Sequence, residues 1–157
     1  MGLTKSYSIV GFIVTLILSF VIASNIESYR HPESVNFLRD SLLESLEYQK
    51  EKSNNPALVG TFDQFISDLE YNLIERRYKK LSLTRIIGCI VALFGSVFLR
   101  QMRKIGLHLF FGGSLFTLMG SFYFTGFSLS GWVLNFSFLV FTLISGLYFL
   151  KKRDYLN

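Results

Sequence analysis

Cysteine and histidine are scarce in this chain of 157 residues, and their scarcity excludes several kinds of site. Cys89 is the single cysteine, so the chain can form no internal disulfide and no multi-cysteine zinc site. The two histidines, His31 and His108, are far apart, and the sequence has no glycine-rich phosphate loop, nucleophile elbow or His-Glu-x-x-His motif. We therefore expect no metal, no cofactor and no enzymatic activity.

Charged residues are absent from four long stretches, which are residues 6–25, 86–99, 105–121 and 121–150. Each stretch is apolar and long enough, or nearly so, to cross about 30 Å of hydrocarbon at about 1.5 Å per helical residue. Because a backbone in lipid must satisfy its own hydrogen bonds, these stretches predict transmembrane helices. The first follows Lys5, and we interpret it as a retained signal anchor rather than a cleaved signal peptide.

The predicted fold class is therefore an all-α integral membrane protein, with four transmembrane helices in a bundle. The spans are expected over about 7–24, 82–99, 105–124 and 131–150. The predicted organisation is a first transmembrane helix (1–24), a polar helical hairpin (25–81), a three-helix transmembrane region (82–150) and a basic tail (151–157).

The polar stretch 25–81 contains ten of the eleven acidic residues, and its apolar residues recur at helical spacing. Pro32 suits a first helical turn, and an amphipathic helix is predicted over 33–52. A second helix is predicted from a capping box that starts at Thr61. No glycine or proline lies between Thr61 and Ile87, so this helix is expected to continue unbroken into the second span. The two polar helices then form an antiparallel hairpin outside the membrane.

The acidic side chains of this stretch fall on helices whose other faces are apolar, which favours a solvated face. A docking surface is the alternative. These residues are Glu44, Glu47, Glu51, Asp63, Asp68 and Glu70.

The distribution of lysine and arginine predicts the orientation. Three very short segments are rich in these residues, and such segments favour the cytoplasm. Their basic residues are Lys5, Arg100, Arg103, Lys104, Lys151, Lys152 and Arg153. We therefore expect both termini in the cytoplasm, the hairpin on the other face, and a bacterial inner membrane. The basic cluster at 76–80 favours the opposite orientation, because it would lie just outside the membrane.

Small residues recur every fourth position in the spans, which allows helix backbones to approach closely. They predict either packing within the bundle or docking faces for another subunit. The positions are Gly11, Thr15, Ser19, Ala23, Gly88, Ala92, Ser96, Gly113, Thr117, Ser121, Thr142 and Gly146.

Basic residues near the ends of the spans are predicted to contact lipid headgroups. They are Arg76, Arg77, Lys79, Lys80, Arg100, Arg103 and Lys104. Within the spans, Arg85 is expected to extend to the headgroups, Asn135 to hydrogen-bond inside the bundle, and His108 to lie at the interface. No aspartate or glutamate lies within any predicted span, which argues against a pump or coupled transporter.

The segment 99–110, with the sequence LRQMRKIGLHLF, has a basic connector followed by a glycine and an aromatic-rich helix. In the last third of the chain this resembles small uncharacterised four-pass membrane proteins of Bacteroidota. That resemblance implies no activity that could be carried over.

These features favour a non-catalytic accessory or scaffold subunit of a larger membrane complex, which docks through its small-residue faces and its hairpin. The alternative is a homo-oligomeric channel or membrane-perturbing effector. The expected partners are membrane lipids and other membrane subunits or copies of the chain itself, and not nucleic acid.

Overall fold

The computed structural model describes the backbone of residues 2–156 and the side chains of residues 8–154 and 156. Within this range the chain is all-helical, and its order is α1 (Gly2–Arg30), α2 (Ser34–Lys52), α3 (Pro56–Asn72), α4 (Glu75–Arg100), α5 (Ile105–Thr125) and α6 (Leu129–Lys151). A single 3₁₀ turn follows at Arg153–Tyr155. Met1, Asn157 and the side chain of Lys5 lie outside the described residues, so the predicted N-terminal and C-terminal segments are described only in part.

Four of the helices are long and apolar enough to cross a membrane. The candidate spans are Ser8–Arg30, Glu75–Arg100, Ile105–Thr125 and Leu129–Lys151, with 23, 26, 21 and 23 residues. At about 1.5 Å per residue each can cross about 30 Å of hydrocarbon. The prediction of an all-helical chain with four such helices is confirmed, and this pattern is that of an integral membrane protein.

Helix α1 is longer than the sequence predicted and continues through polar residues to Arg30. Asn25 Nδ2 donates to the Val21 carbonyl at 2.7 Å, and Ser28 Oγ donates to the Ser24 carbonyl at 3.0 Å. These bonds follow the helix backbone, and no proline precedes Pro32 in the sequence. The hydrophobic pattern marked only the apolar part of a longer helix.

The prediction that α3 starts at Thr61 is wrong. The helix begins at Pro56, and the side chain of Asn55 caps it by accepting a hydrogen bond from Ala57 N at 3.0 Å. Proline suits this first position because the N–H that it lacks would have no helical partner. Thr61 instead lies within the helix and donates to the Ala57 carbonyl at 3.0 Å.

The prediction of one continuous helix from α3 into the second span is also wrong, because Leu73 and Ile74 interrupt it. Leu73 is buried against Val35 and Leu69 in a small hydrophobic cluster between α2 and α3. Asn72 Nδ2 donates to Ser130 Oγ on α6 at 3.1 Å. An unbroken helix would fix the apolar faces of α3 and α4 in one rotational register. Because the helix is interrupted, the apolar side of α3 can turn towards α2 while that of α4 turns towards α1 and α5.

The main core lies among α1, α4, α5 and α6. Its buried side chains include Val14 and Leu18 on α1, Cys89 on α4, Phe110 on α5 and Phe149 on α6. The rings of Phe110 and Phe149 meet edge to face with centroids 5.5 Å apart, which is a favourable aromatic geometry. This core fixes the positions of the polar groups described next.

Candidate functional site

The most unusual polar group within the candidate spans is the guanidinium of Arg85 on α4. Its Nε donates to Ser121 Oγ on α5 at 3.1 Å, and its Nη2 donates to Asn135 Oδ1 on α6 at 2.8 Å. Nη2 also lies 3.4 Å from the Leu134 carbonyl. The expectation that Arg85 extends to the headgroups is therefore wrong. Its side chain bridges to two neighbouring helices because they offer acceptors at its own depth.

Asn135 is held firmly as the principal partner of Arg85. It is 1% exposed, and its Nδ2 donates to the Gly131 carbonyl at 2.8 Å and to Thr125 Oγ1 at 3.1 Å. Thr125 Oγ1 in turn donates to the Ser121 carbonyl at 2.9 Å. The amide nitrogen thus has two acceptors, which leaves the amide oxygen to face the guanidinium. The predicted hydrogen bonding of Asn135 is confirmed.

The partners of Arg85 are all neutral. Among the described residues, none forms an ion pair with it. An arginine at membrane depth without a counter-ion is energetically expensive, and such residues mark functional positions by default.

Arg85 also lines a cleft of about 280 Å³ between α1 and α6. It is the only charged residue among those that line this cleft, which are Ile17, Val21, Asn25, Arg85, Leu134, Ser137, Phe138 and Phe141. A second cavity of about 320 Å³ shares Ile17 and Phe141 with the first and continues along the same two helices to Val10 and Tyr148. Together they form one groove, hereafter the α1–α6 groove, with a single positive charge near one end.

The predicted small-residue positions lie mostly inside the molecule. Thr15 on α1 and Ser96 on α4 share a hydrogen bond of 2.8 Å, and Gly11 lies against the side chain of Arg100. Among the others, those that are also buried are Gly88, Ala92, Gly113, Thr117, Ser121, Thr142 and Gly146. Ser19 and Ala23 are exposed. The structure therefore uses most of these positions for contacts within the chain.

Two glycines that lie outside the predicted small-residue positions, Gly95 and Gly106, also form a close approach of α4 and α5. A Cβ built on Gly95 would lie 2.7 Å from Phe110 Cα and 2.8 Å from the Gly106 carbonyl oxygen. A spacing of seven residues, from Gly88 to Gly95 and from Gly106 to Gly113, was the available signal. That spacing returns to nearly the same helix face, but a pattern of small residues at every fourth position does not include Gly95 or Gly106.

The basic residues predicted to contact headgroups lie near the two ends of α4. At its start, the Arg77 guanidinium lies 3.7 Å from the centre of the Tyr71 ring, and Lys79 Nζ lies 4.9 Å from that of Tyr29. Arg76 and Lys80 share a cavity of about 370 Å³ with Arg77, Tyr123 and Phe124. Near its other end, Arg100 and Arg103 lie 5.6 Å and 5.9 Å from the ring centres of Phe12 and Phe98.

The two histidines lie in different surroundings. His108 is exposed and lines a surface cavity with Lys104, Leu107, Arg153, Asp154 and Leu156. Among the described residues, no group of three or more histidine, cysteine or acidic side chains could hold a metal ion.

The other histidine, His31, contacts acidic residues between α1 and α2. Its Nδ1 lies 3.0 Å from Glu33 Oε1, and its Nε2 lies 3.7 Å from Glu27 Oε1. A hydrogen bond from its own backbone, and then the contact with His31, hold the pKa of the Glu33 carboxyl below its ordinary value. This cluster is exposed and lies at the turn that leads into α2.

Comparisons of the chain with family models, with curated proteins and with solved structures give no match.

Proposed function

We propose that the protein is a non-catalytic accessory or scaffold subunit of a larger membrane protein complex. In this proposal α1, α4, α5 and α6 form a four-helix bundle in the bilayer, and α2 and α3 form a helical hairpin outside it. Membrane lipids surround the bundle, and other membrane subunits contact the hairpin.

The observation that carries this proposal is the exposed apolar surface of α2 and α3. Phe37 is 82% exposed, Tyr48 58% and Leu58 50%, although neither helix is among the candidate membrane spans. Large apolar side chains exposed outside a membrane are typical of contact surfaces. The polar side of the same helices includes an ion pair between Lys50 and Asp63 that joins α2 to α3. The hairpin therefore has exposed apolar side chains on two helices that an ion pair holds together.

The alternative, a homo-oligomeric channel, requires polar side chains that face a shared axis. Thr15 bonds to Ser96, Thr117 bonds to the Gly113 carbonyl, and Asn135 is buried. Of the polar residues Thr15, Ser19, Ser96, Thr117 and Asn135 in the predicted spans, only Ser19 is exposed. This distribution favours a subunit over a channel.

For the localisation we propose a bacterial inner membrane, with both termini in the cytoplasm and the hairpin on the opposite face. The support is the distribution of charge along the described chain. Arg100 is the last residue of α4 and is followed by Arg103 and Lys104, and Lys151 is the last residue of α6 and is followed by Arg153. Short basic segments of this kind favour the cytoplasmic side.

The experiment is a purification of the tagged full-length chain from its native membrane in a gentle detergent, followed by mass spectrometry of the intact particle. We expect foreign subunits in a fixed ratio. Phe37→Ser should lower their recovery, because it removes a contact point without changing the buried core. Gln49→Ser, at another exposed position of α2, is the matched control and should leave recovery unchanged.

A particle that contains several copies of this chain alone would contradict the proposal and favour the channel, which conductance measurements in planar bilayers would then test. Equal recovery with Phe37→Ser and Gln49→Ser would show that this part of the hairpin is not the contact surface.

A further inference from the structure

The guanidinium of Arg85 has hydrogen-bonding capacity that its known partners do not use. Nε and Nη2 are the donors in its hydrogen bonds to described residues, so the two protons of Nη1 remain available for a further acceptor. The positive charge also has no acidic partner within the described part of the chain. In a medium of low dielectric constant, an anion at this position gains a charge-assisted hydrogen bond and neutralises the charge of this half-buried side chain.

The groove beside Arg85 is long enough for an extended hydrocarbon chain. On α1 it extends from Asn25 to Val10, which is about 22 Å at 1.5 Å per residue. That length exceeds the ~15 Å of hydrocarbon in one leaflet of a bilayer. Apart from Arg85, its walls are mainly apolar, with Val21, Phe138 and Phe141 among them.

We propose that the α1–α6 groove binds one long-chain carboxylate. The carboxylate contacts Arg85 at the end of the groove nearest Asn25, and the acyl chain extends past Ile17 and Phe141 towards Val10. A planar carboxylate matches the planar fork of a guanidinium, and its single charge balances the single cation of the groove.

A phospholipid fits this groove less well. It has two acyl chains and a phosphodiester head, whereas the groove has only one cation among its lining residues. Arg85 also lies five residues beyond Lys80, which places it about 7.5 Å further along α4 than the basic cluster suited to headgroup phosphates. A transmembrane helix of a partner is about 10 Å in diameter, which is much wider than a single acyl chain.

The test measures the binding of oleate, at pH 8 where its carboxyl group is ionised, to the full-length protein in detergent micelles by native mass spectrometry. Dioleoylphosphatidylglycerol is the competing probe. The variants are Arg85→Gln, which removes the charge, and Ser137→Trp, which fills the groove from an exposed position and leaves the bonds of Arg85 intact. Arg76→Gln removes a cation outside the groove and is the control.

We expect one tightly bound oleate per wild-type chain. Both Arg85→Gln and Ser137→Trp should weaken binding about tenfold or more, which corresponds to the loss of a charge-assisted hydrogen bond or of the seated chain. Arg76→Gln should bind oleate like the wild type. If Arg85→Gln fails to fold, Ser137→Trp still decides the question.

Three results would overturn the proposal. Equal binding by wild type and Ser137→Trp would mean that oleate only partitions onto the apolar exterior. Displacement of oleate by stoichiometric phosphatidylglycerol would assign the groove to a phospholipid. A partner subunit whose carboxylate cross-links to the groove in the native complex would assign Arg85 to a protein contact.

Discussion

Gly95 is a residue at which a single methyl group should disturb the helix packing directly. Its Cβ would meet backbone atoms, 2.7 Å from Phe110 Cα, and backbone cannot rotate away as a side chain can. We therefore expect Gly95→Ala to destabilise the protein by about 1–3 kcal/mol, the usual range for overpacking. The measurement is the midpoint of unfolding in detergent as sodium dodecyl sulfate is added, followed by circular dichroism.

Gly112→Ala is the matched control for this prediction. A Cβ at Gly112 would have no neighbour within 4 Å, and alanine is the better helix former by about 1 kcal/mol. Equal loss of stability in the two variants would contradict the proposed close approach of α4 and α5 at Gly95.

At the residue scale, the sequence revealed which polar groups are unusual but not their partners. Arg85 and Asn135 both stand out in apolar surroundings, and hydrogen bonding of Asn135 is a simple expectation for an amide in lipid. Their mutual bond joins residues 50 positions apart on different helices. Whether Arg85 faces headgroups or the interior depends on how α4 is rotated about its axis. The packing of Gly88 and Gly95 against α5 determines that rotation, and no local pattern expresses it.

At the scale of the elements, α2 and α3 depend on a small cluster of buried side chains. Leu69 is 1% exposed and contacts the cluster with Val35 and Leu73. Leu69→Ala should therefore destabilise this pair of helices by about 2–5 kcal/mol, through lost burial and the cavity left behind. Hydrogen–deuterium exchange should become faster over residues 34–72 and remain unchanged over residues 86–99.

The matched control for this prediction is Leu58→Ala, on the same helix at a side chain that is 50% exposed. It should leave the exchange rates close to those of the wild type. Faster exchange throughout the four spans in Leu69→Ala would contradict the prediction, because it would show that α2 and α3 do not unfold separately from the spans.

The interruption between α3 and α4 shows why some element boundaries escaped prediction. Leu73 and Ile74 are ordinary helix-compatible residues, and no glycine or proline marks the end of α3. The helix ends because Leu73 is buried in the cluster with Val35 and Asn72 bonds to Ser130 on α6. These are tertiary contacts, which override local propensity. By contrast, Asn55-Pro56 is a local capping signal, and the start of α3 could have been predicted from it.

At the scale of the whole molecule, the four candidate spans were predictable because hydrocarbon imposes a length and a composition on each span. The α1–α6 groove was not predictable. It exists because α1 packs on α4 while α6 packs mainly on α5, which leaves a gap between α1 and α6. Helices α1 and α4 are not neighbours in sequence, so the gap depends on the assembly of all four helices.

The proposed topology places the connection between α2 and α3 and the connection between α4 and α5 on opposite sides of the membrane, because α4 crosses it between them. Asn54 lies between α2 and α3 and Gln101 between α4 and α5, and both side chains are exposed. In a Cys89→Ala background, Asn54→Cys should react with a membrane-impermeant maleimide on intact cells, whereas Gln101→Cys should react only after permeabilisation. The basic segment at 100–104 provides the physical reason, since short basic segments favour the cytoplasm. The reverse pattern would mean that the cluster at 76–80 dominates the orientation, and labelling of both sites on intact cells would contradict a membrane crossing by α4.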